Sequence, residues 1–357
     1  MTVDSTPATK RWSLQQQCDF ISKVYGLWGG GMTVVTYAQQ GEDTVVQWRY
    51  AILHNHQKGY FLEGVKKLGI DPEREPPAVV AAKYHFFSNA LGGLDMEMVE
   101  ESPNKAWIRY NAPFGPAGTG WLAIPPRMGR AIFAGWHPYN ALRLNRPRLG
   151  FVLSKGFTDG EPYAEGYFME YDHDLTEEER FRFDPTATMP EFDPEMAPKL
   201  DPELWPPDRR AKAKRNFGRG YVEESVLALL QLLGTPVTAQ IVRRAYQGIA
   251  IQYGKELLDE LGIKDTNARG LATFMKYLGD MAGDTAELTS PSPDRHLLRT
   301  NRRRLFLEDP VPPEVLRAMF GFTEMLAKIM GPRIRASLSA LREEGSPYDE
   351  MVFEDVR

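Results

Sequence analysis

The chain has 357 residues, 42% of them hydrophobic and 25% charged, with 43 basic against 48 acidic side chains and a formal net charge of −5. That composition excludes a disordered or collagen-like polymer. It also argues against whole-chain nucleic-acid binding, because a surface built to neutralise phosphates is basic. The single cysteine, Cys18, excludes an intramolecular disulfide and a cysteine zinc cage. Met1–Lys10 is polar and lacks an apolar signal core, and no run approaches the roughly eighteen consecutive apolar residues of a membrane span. Cytoplasmic residence with no membrane partner is the expectation, and at roughly one domain per 100–200 residues the length predicts two domains.

In chain order, Gly29-Gly30-Gly31 follows no strand pattern and lacks a P-loop lysine, so it reads as a flexible turn rather than a phosphate cradle. Val45–Leu68 is proline-free with apolar residues at helical spacing (Trp48, Ile52, Tyr60, Val65, Leu68), and Gly69 stops it. A second helix is expected over Val79–Leu91, followed by a hairpin of Asp95–Glu101 and Lys105–Tyr110 around a Ser-Pro-Asn turn. A further helical segment leads to the Gly160-Glu161-Pro162 turn and a strand over Tyr163–Tyr171. Leu175–Pro207 then carries seven prolines and nine acids in 33 residues, with Asp-Pro at Asp184, Asp193 and Asp201. Neither a helix nor a central strand tolerates that spacing, so it reads as an extended linker wrapped along a domain surface. Beyond it the order recurs: helices over Thr238–Leu261 and Ala268–Met281, a hairpin strand within Arg295–Leu307, and a last strand over Tyr348–Val356.

The recurrence extends to residues. Pro147–Phe168 matches Pro332–Phe353 without a gap at nine of 22 positions, among them Ser154/Ser339, Tyr163/Tyr348 and Glu165/Glu350. Gly93–Asn111 matches Gly283–Asn301 at six of 19, and Leu68-Gly69-Ile70 sits over Leu261-Gly262-Ile263. The reading is an internal duplication. It gives an α+β chain of two tandem homologous domains, each with helices on a small antiparallel sheet, packed as a pseudo-dimer. The first copy is expected over residues 12–174, the linker over 175–207 and the second copy over 208–357.

Asn145–Leu149 (NRPRL), Gly160–Phe168 (GEPYAEGYF) and Lys105–Pro113 (KAWIRYNAP) carry a resemblance to the L-2-amino-thiazoline-4-carboxylic acid hydrolase family and the related 4-vinyl reductase type small-molecule-binding domains. The resemblance covers most of each copy and implies an α+β fold around a small-molecule pocket. Such domains often carry Cys-Pro after the hairpin and Tyr-Cys near the end. Here those positions read Ala112-Pro113 and Tyr163-Ala164, with Arg302 and Asp349 in the second copy. Thiolate chemistry at those positions is thereby excluded.

Five of the six histidines lie in the first copy, which is therefore read as active and the second as degenerate. His54 and His56 are two residues apart on a helix and point to different sides, a poor metal pair; His56 falls in the apolar stripe and faces a pocket or the core. His85, His137, Asp95 and Glu165 are the candidate acid/base residues, with His85, His137 and Glu165 also candidate ligands for a divalent transition metal. Trp28, Trp48, Tyr84, Phe86, Trp107, Trp121, Trp136 and Tyr139 form an aromatic set suited to a planar or cyclic organic ligand. His56, Tyr84, Trp107, Trp136, Tyr139 and Tyr163 are its expected contacts. The basic runs Arg209–Arg219 and Arg295–Arg304 read as solvated charge or contacts between copies. The expected activity is a small-molecule hydrolase or lyase on a cyclic or aromatic metabolite; the alternative is a non-catalytic sensor or carrier that has lost the thiols. A homodimer is compatible with either.

Overall fold

The computed structural model describes residues 12–113 and 124–356. Met1–Lys10 and Trp121 lie outside that range. The fold is α+β with two small sheets. The chain divides into two compact units that do not follow chain order: Gln40–Phe217 forms one, while residues 12–39 join residues 218–356 in the other.

Helix α1 (Leu14–Lys67) is interrupted at Gly41, whose φ of 82° and ψ of 179° suit only glycine. The Gly29–Gly31 run lies inside this helix, which corrects the expected turn. A side chain at Gly31 would meet Ile249 at 2.9 Å, so the glycine permits a close helix–helix approach.

In the unit Gln40–Phe217, helix α2 (Pro77–Gly92) starts on proline and ends on Gly93 in the left-handed region at φ 95°. Its Ala78, Ala81 and Ala82 bring it close to the sheet β1 (Met96–Ser102), β2 (Lys105–Asn111), β3 (Leu149–Lys155), β4 (Tyr163–Glu170) and β5 (Phe181–Phe183). Helices α3 (Pro126–Trp136) and α4 (Asn140–Arg143), joined by a 3-10 turn over His137–Tyr139, precede β3. Strand order is β1-β2-β4-β3-β5. The expected antiparallel sheet is thus mixed, because β5 comes from the proline-rich segment and pairs parallel to β3 at the edge. Edge pairing is what prolines leave open to such a segment. The Asp-Pro repeats become turns in which Asp184, Asp193 and Asp201 each accept from the backbone N–H two residues on, at 3.0, 2.9 and 2.8 Å.

In the other unit, helix α5 (Pro207–Glu260) enters at Gly218 and is interrupted at Gly234, with Pro236 just beyond. It is, by length and composition, apolar enough to cross a membrane: an 18-residue window has a mean hydropathy of 1.6, with 39% of it buried. Gln231, Gly234, Thr235 and Pro236 hide that apolarity from a count of consecutive residues. Val226, Leu229, Ile241 and Val242 are buried in the unit's core. Helix α6 (Ala268–Ala282) is capped by Asn267, which accepts from Gly270 N–H at 2.9 Å. It packs on the antiparallel sheet of β6 (Thr285–Ser292), β7 (Arg295–Arg302), β8 (Ile334–Ala340) and β9 (Asp349–Asp355), ordered β6-β7-β9-β8. Helices α7 (Pro313–Met319) and α8 (Gly321–Met330) lead into β8.

Candidate functional site

The two candidate histidines meet. His85 on α2 and His137 at the end of α3 stack with ring centroids 4.1 Å apart and planes at 11°. Phe151 lies 4.3 Å from the His137 ring and Phe168 5.5 Å from the His85 ring, while Trp136 closes the edge at 5.7 Å. Both histidines are buried, and burial is the cause that holds them neutral: it takes His137 down to about 3 and His85 well below the ordinary value, with the neighbouring His137 as a second cause. His137 donates from Nδ1 to the Phe133 carbonyl at 3.2 Å, so its Nε2 accepts from the Tyr110 hydroxyl at 3.0 Å. His85 Nε2 accepts from the Asn140 amide at 2.7 Å. Each ring nitrogen that could act as a base is therefore already an acceptor inside a packed aromatic core. His56 and Tyr84 join this stack through Trp136, at 4.8 and 6.2 Å; burial alone takes His56 to about 3 and is the main cause raising the Tyr84 phenol.

The sheet separates these rings from Glu165. Along β4, alternate residues face opposite sides; Phe168 faces the histidines, so Glu165 faces away from them. Glu165 is fully buried on that outer side and accepts from Arg109 Nε and Nη2 at 2.9 and 2.8 Å, from Ser154 Oγ at 3.2 Å and from Met189 N–H at 3.3 Å. Arg109 stacks under Tyr163 at 4.4 Å. Trp107 is on this same outer face, against Tyr167 at 4.5 Å and donating to Glu101 at 2.6 Å. Asp95 is exposed and bonds Asn111. Tyr139 lies near the surface, bonded to Tyr50 at 2.5 Å and edge-on to His54 at 4.4 Å. Thus His56, Tyr84, His85, Trp136 and His137 come together, whereas Asp95, Trp107, Tyr139, Tyr163 and Glu165 do not join them. The proposed metal set of His85, His137 and Glu165 is split by the sheet, and among the described residues no group of three or more His, Cys, Asp or Glu could hold a metal ion.

The arrangement around Glu165 recurs in the other sheet. Glu350 accepts from Arg299 Nε at 2.6 Å and from Ser339 Oγ at 2.8 Å, and Arg299 lies over Tyr348 at 4.8 Å. The Arg299 hydrogen bond is the first cause that lowers the Glu350 carboxyl. Arg109 pairs in register with Glu165, as Arg299 does with Glu350.

The inner face differs between the sheets. Beside the matched arginines stand Tyr110 in one sheet and Thr300 in the other, and Phe151 is matched by Ala336 opposite Phe168 and Phe353 respectively. Where the first sheet is filled with rings, the second has a cavity of about 160 Å³. One wall is aromatic: Trp28 from α1 stacks on Tyr246 from α5 at 4.8 Å and 22°, with the Phe322 ring edge-on at 6.0 Å. The Tyr246 hydroxyl and the Trp28 indole nitrogen are buried and have no hydrogen-bond partner among the described residues. Leu298, Met275 and Leu338 contribute apolar lining. The charged part holds Asp284, Arg303 and Asp349. Arg303 pairs with Asp349 at 2.5 Å and with Glu343. Burial pushes the Asp284 carboxyl up to about 6, against the backbone hydrogen bond from Arg304, and burial raises Asp349 despite Arg303.

Neither a family model nor a curated protein matches this chain in sequence. Sequence reasoning singled out Trp28 but placed the pocket with the histidines; it passed over Tyr246 and Asp284, and it read Arg303 within the basic run Arg295–Arg304 as solvated charge or a contact between copies, where the structure holds it in ion pairs with Asp349 and Glu343. The legible signal was size: Thr300 stands beside Arg299 in the second sheet where Tyr110 stands beside Arg109 in the first. Aromatic and histidine counts marked the packed core instead, because large rings fill a space as readily as they line one.

Proposed function

We propose that this chain is a small-molecule-binding protein whose site is the cavity over β6–β9, and that its ligand is a largely apolar compound about one ring in size. The observation that carries this reading is the pair of buried, unpartnered hydrogen-bonding groups, Tyr246 Oη and Trp28 Nε1, on residues that line the apolar cavity. A buried polar group without a partner is costly, and a bound molecule would satisfy it. Size supports the same reading, since a cavity of about 150 Å³ admits benzene, and 160 Å³ is close to that.

The recurrence of the Arg, Glu, Ser and Tyr contacts supports two fused homologous copies, a pseudo-dimer standing in for an ancestral homodimer. In this proposal the first copy is the filled one. The resemblance to the L-2-amino-thiazoline-4-carboxylic acid hydrolase and 4-vinyl reductase type domains accords with a pocket in each ancestral copy. At the second copy's thiol positions stand Arg302 and Asp349, and Asp349 is held by Arg303, the neighbour of Arg302. Cytoplasmic residence remains part of the proposal, on composition and the single cysteine.

A second reading, a hydrolase or lyase, is favoured by one observation: Asp284, a cavity-lining carboxyl pushed up to about 6, lies near the range useful for acid/base work. A thermal-shift series separates the proposals. Single-ring compounds should raise the melting temperature and two-ring compounds should not; absence of any shift with single-ring compounds refutes the cavity as a ligand site. Consumption of such a compound, lost in Asp284→Asn, would establish the hydrolase or lyase.

A further inference from the structure

We propose that the cavity over β6–β9 selects a small organic cation: a single-ring amine whose ammonium group pairs with Asp284 while its ring lies against Trp28, Tyr246 and Phe322. This rests on the cavity being a ligand site and adds the charge of the ligand.

The charge of the lining comes first. Two aspartates and one arginine, Asp284, Asp349 and Arg303, line the cavity, a sum of −1 when all are ionised. Arg303 is spent: Nη1 holds Asp349, Nη2 holds Glu343, and Nε donates to the Leu305 carbonyl at 3.0 Å. Asp284 receives one hydrogen bond, from Arg304 N–H at 2.7 Å, and makes no salt bridge among the described residues. The Arg303 and Arg304 guanidinium groups act on it only over longer distances. A half-buried carboxylate without a salt bridge carries a desolvation cost that a cation brought by the ligand would offset.

The other walls fit the same ligand. Trp28, Tyr246 and Phe322 form an aromatic wall of the cavity, and a ligand ring can pack against it edge-on or offset-stacked. An anionic ligand meets the opposite conditions, because Arg303 is already held by two carboxylates and Asp284 would repel it. A neutral ligand would leave Asp284 without a counter-charge.

Isothermal titration of the full chain at pH 7.5 with three probes of matched size tests this: 2-phenylethylamine, 2-phenylethanol and phenylacetate. The amine should bind roughly tenfold tighter than the alcohol, and the anion should bind weakest. Asp284→Asn, which keeps an oxygen for Arg304 N–H, should bring the amine down to the alcohol's affinity. If that variant fails to fold by circular dichroism, Asp284→Ser takes its place. Equal or weaker binding of the amine by the wild-type chain overturns the cation while leaving the cavity reading intact. Retention of the amine's advantage in the folded variant overturns Asp284 as counter-ion. Failure of all three probes to bind refutes both readings.

Discussion

Acid should destabilise the unit Gln40–Phe217 through its buried histidines, and the size of the effect can be worked out. In the unfolded chain each histidine titrates near 6.5; in the folded unit burial takes His56 and His137 to about 3 and His85 well below its ordinary value. The folded unit therefore binds fewer protons than the unfolded chain. The stability from keeping these rings neutral is complete above 6.5 and is lost as the pH falls from 6.5 towards 3. At pH 5 the loss is about 2 kcal/mol per histidine, or about 4 kcal/mol for His56 and His137 together, with His85 adding to it. Against a typical domain stability of about 5–15 kcal/mol, that is a large share. Urea unfolding at pH 7.5 and 5.0, followed by tryptophan fluorescence, measures it; Trp48, Trp107, Trp136 and Trp205 all report on this unit. His137→Phe keeps a ring in the stack beside Phe151 and should remove about 2 kcal/mol of the pH-dependent loss. Equal unfolding free energies at the two pH values, or an undiminished loss in His137→Phe, would refute the reasoning.

Three other outcomes follow from single contacts. Arg109→Met strands Glu165, which is fully buried beneath it, and should cost about 3–5 kcal/mol in urea unfolding. Arg299→Met should cost less, because Arg299 is 43% exposed where Arg109 is 17% exposed; equal losses would contradict the difference in burial. Gly41→Ala places a side chain at φ 82° and should cost about 1–2 kcal/mol; a neutral effect on the thermal midpoint would show that the helix interruption does not need glycine. Gly135→Ala would put its new carbon 2.6 Å from the Tyr50 carbonyl oxygen. It should cost about 1–3 kcal/mol, read from the same urea midpoints.

The sequence made the local elements plain because each has a local cause. Gly93 and Gly283 end helices in the left-handed region, and the Ser-Pro-Asn and Ser-Pro-Asp stretches turn the hairpins β1–β2 and β6–β7. The pairing of Tyr163, Glu165 and Ser154 with Tyr348, Glu350 and Ser339 was visible as identity, and the ion pairs explain it. What stayed hidden depends on contacts distant along the chain. Residues 14–40 look unpatterned because Gly29, Gly30 and Gly31 interrupt them, yet Gly31 is small to let Ile249 approach. Glu165 shares strand β4 with Phe168, the ring that meets His85, but the two-residue period of the strand sends the carboxylate to the far side from Phe168. The cavity was missed for the converse reason: the sheet residue that marks it, Thr300, is small rather than reactive.

The most direct measurement is titration of 2-phenylethanol into the wild-type chain and into Thr300→Tyr. Thr300 lines the cavity and occupies the position held by Tyr110 in the filled sheet, so the tyrosine ring should take up the space a ligand needs. Saturable one-to-one binding by the wild-type chain that disappears in a folded Thr300→Tyr places the ligand over β6–β9. Equal binding by both chains would contradict that placement.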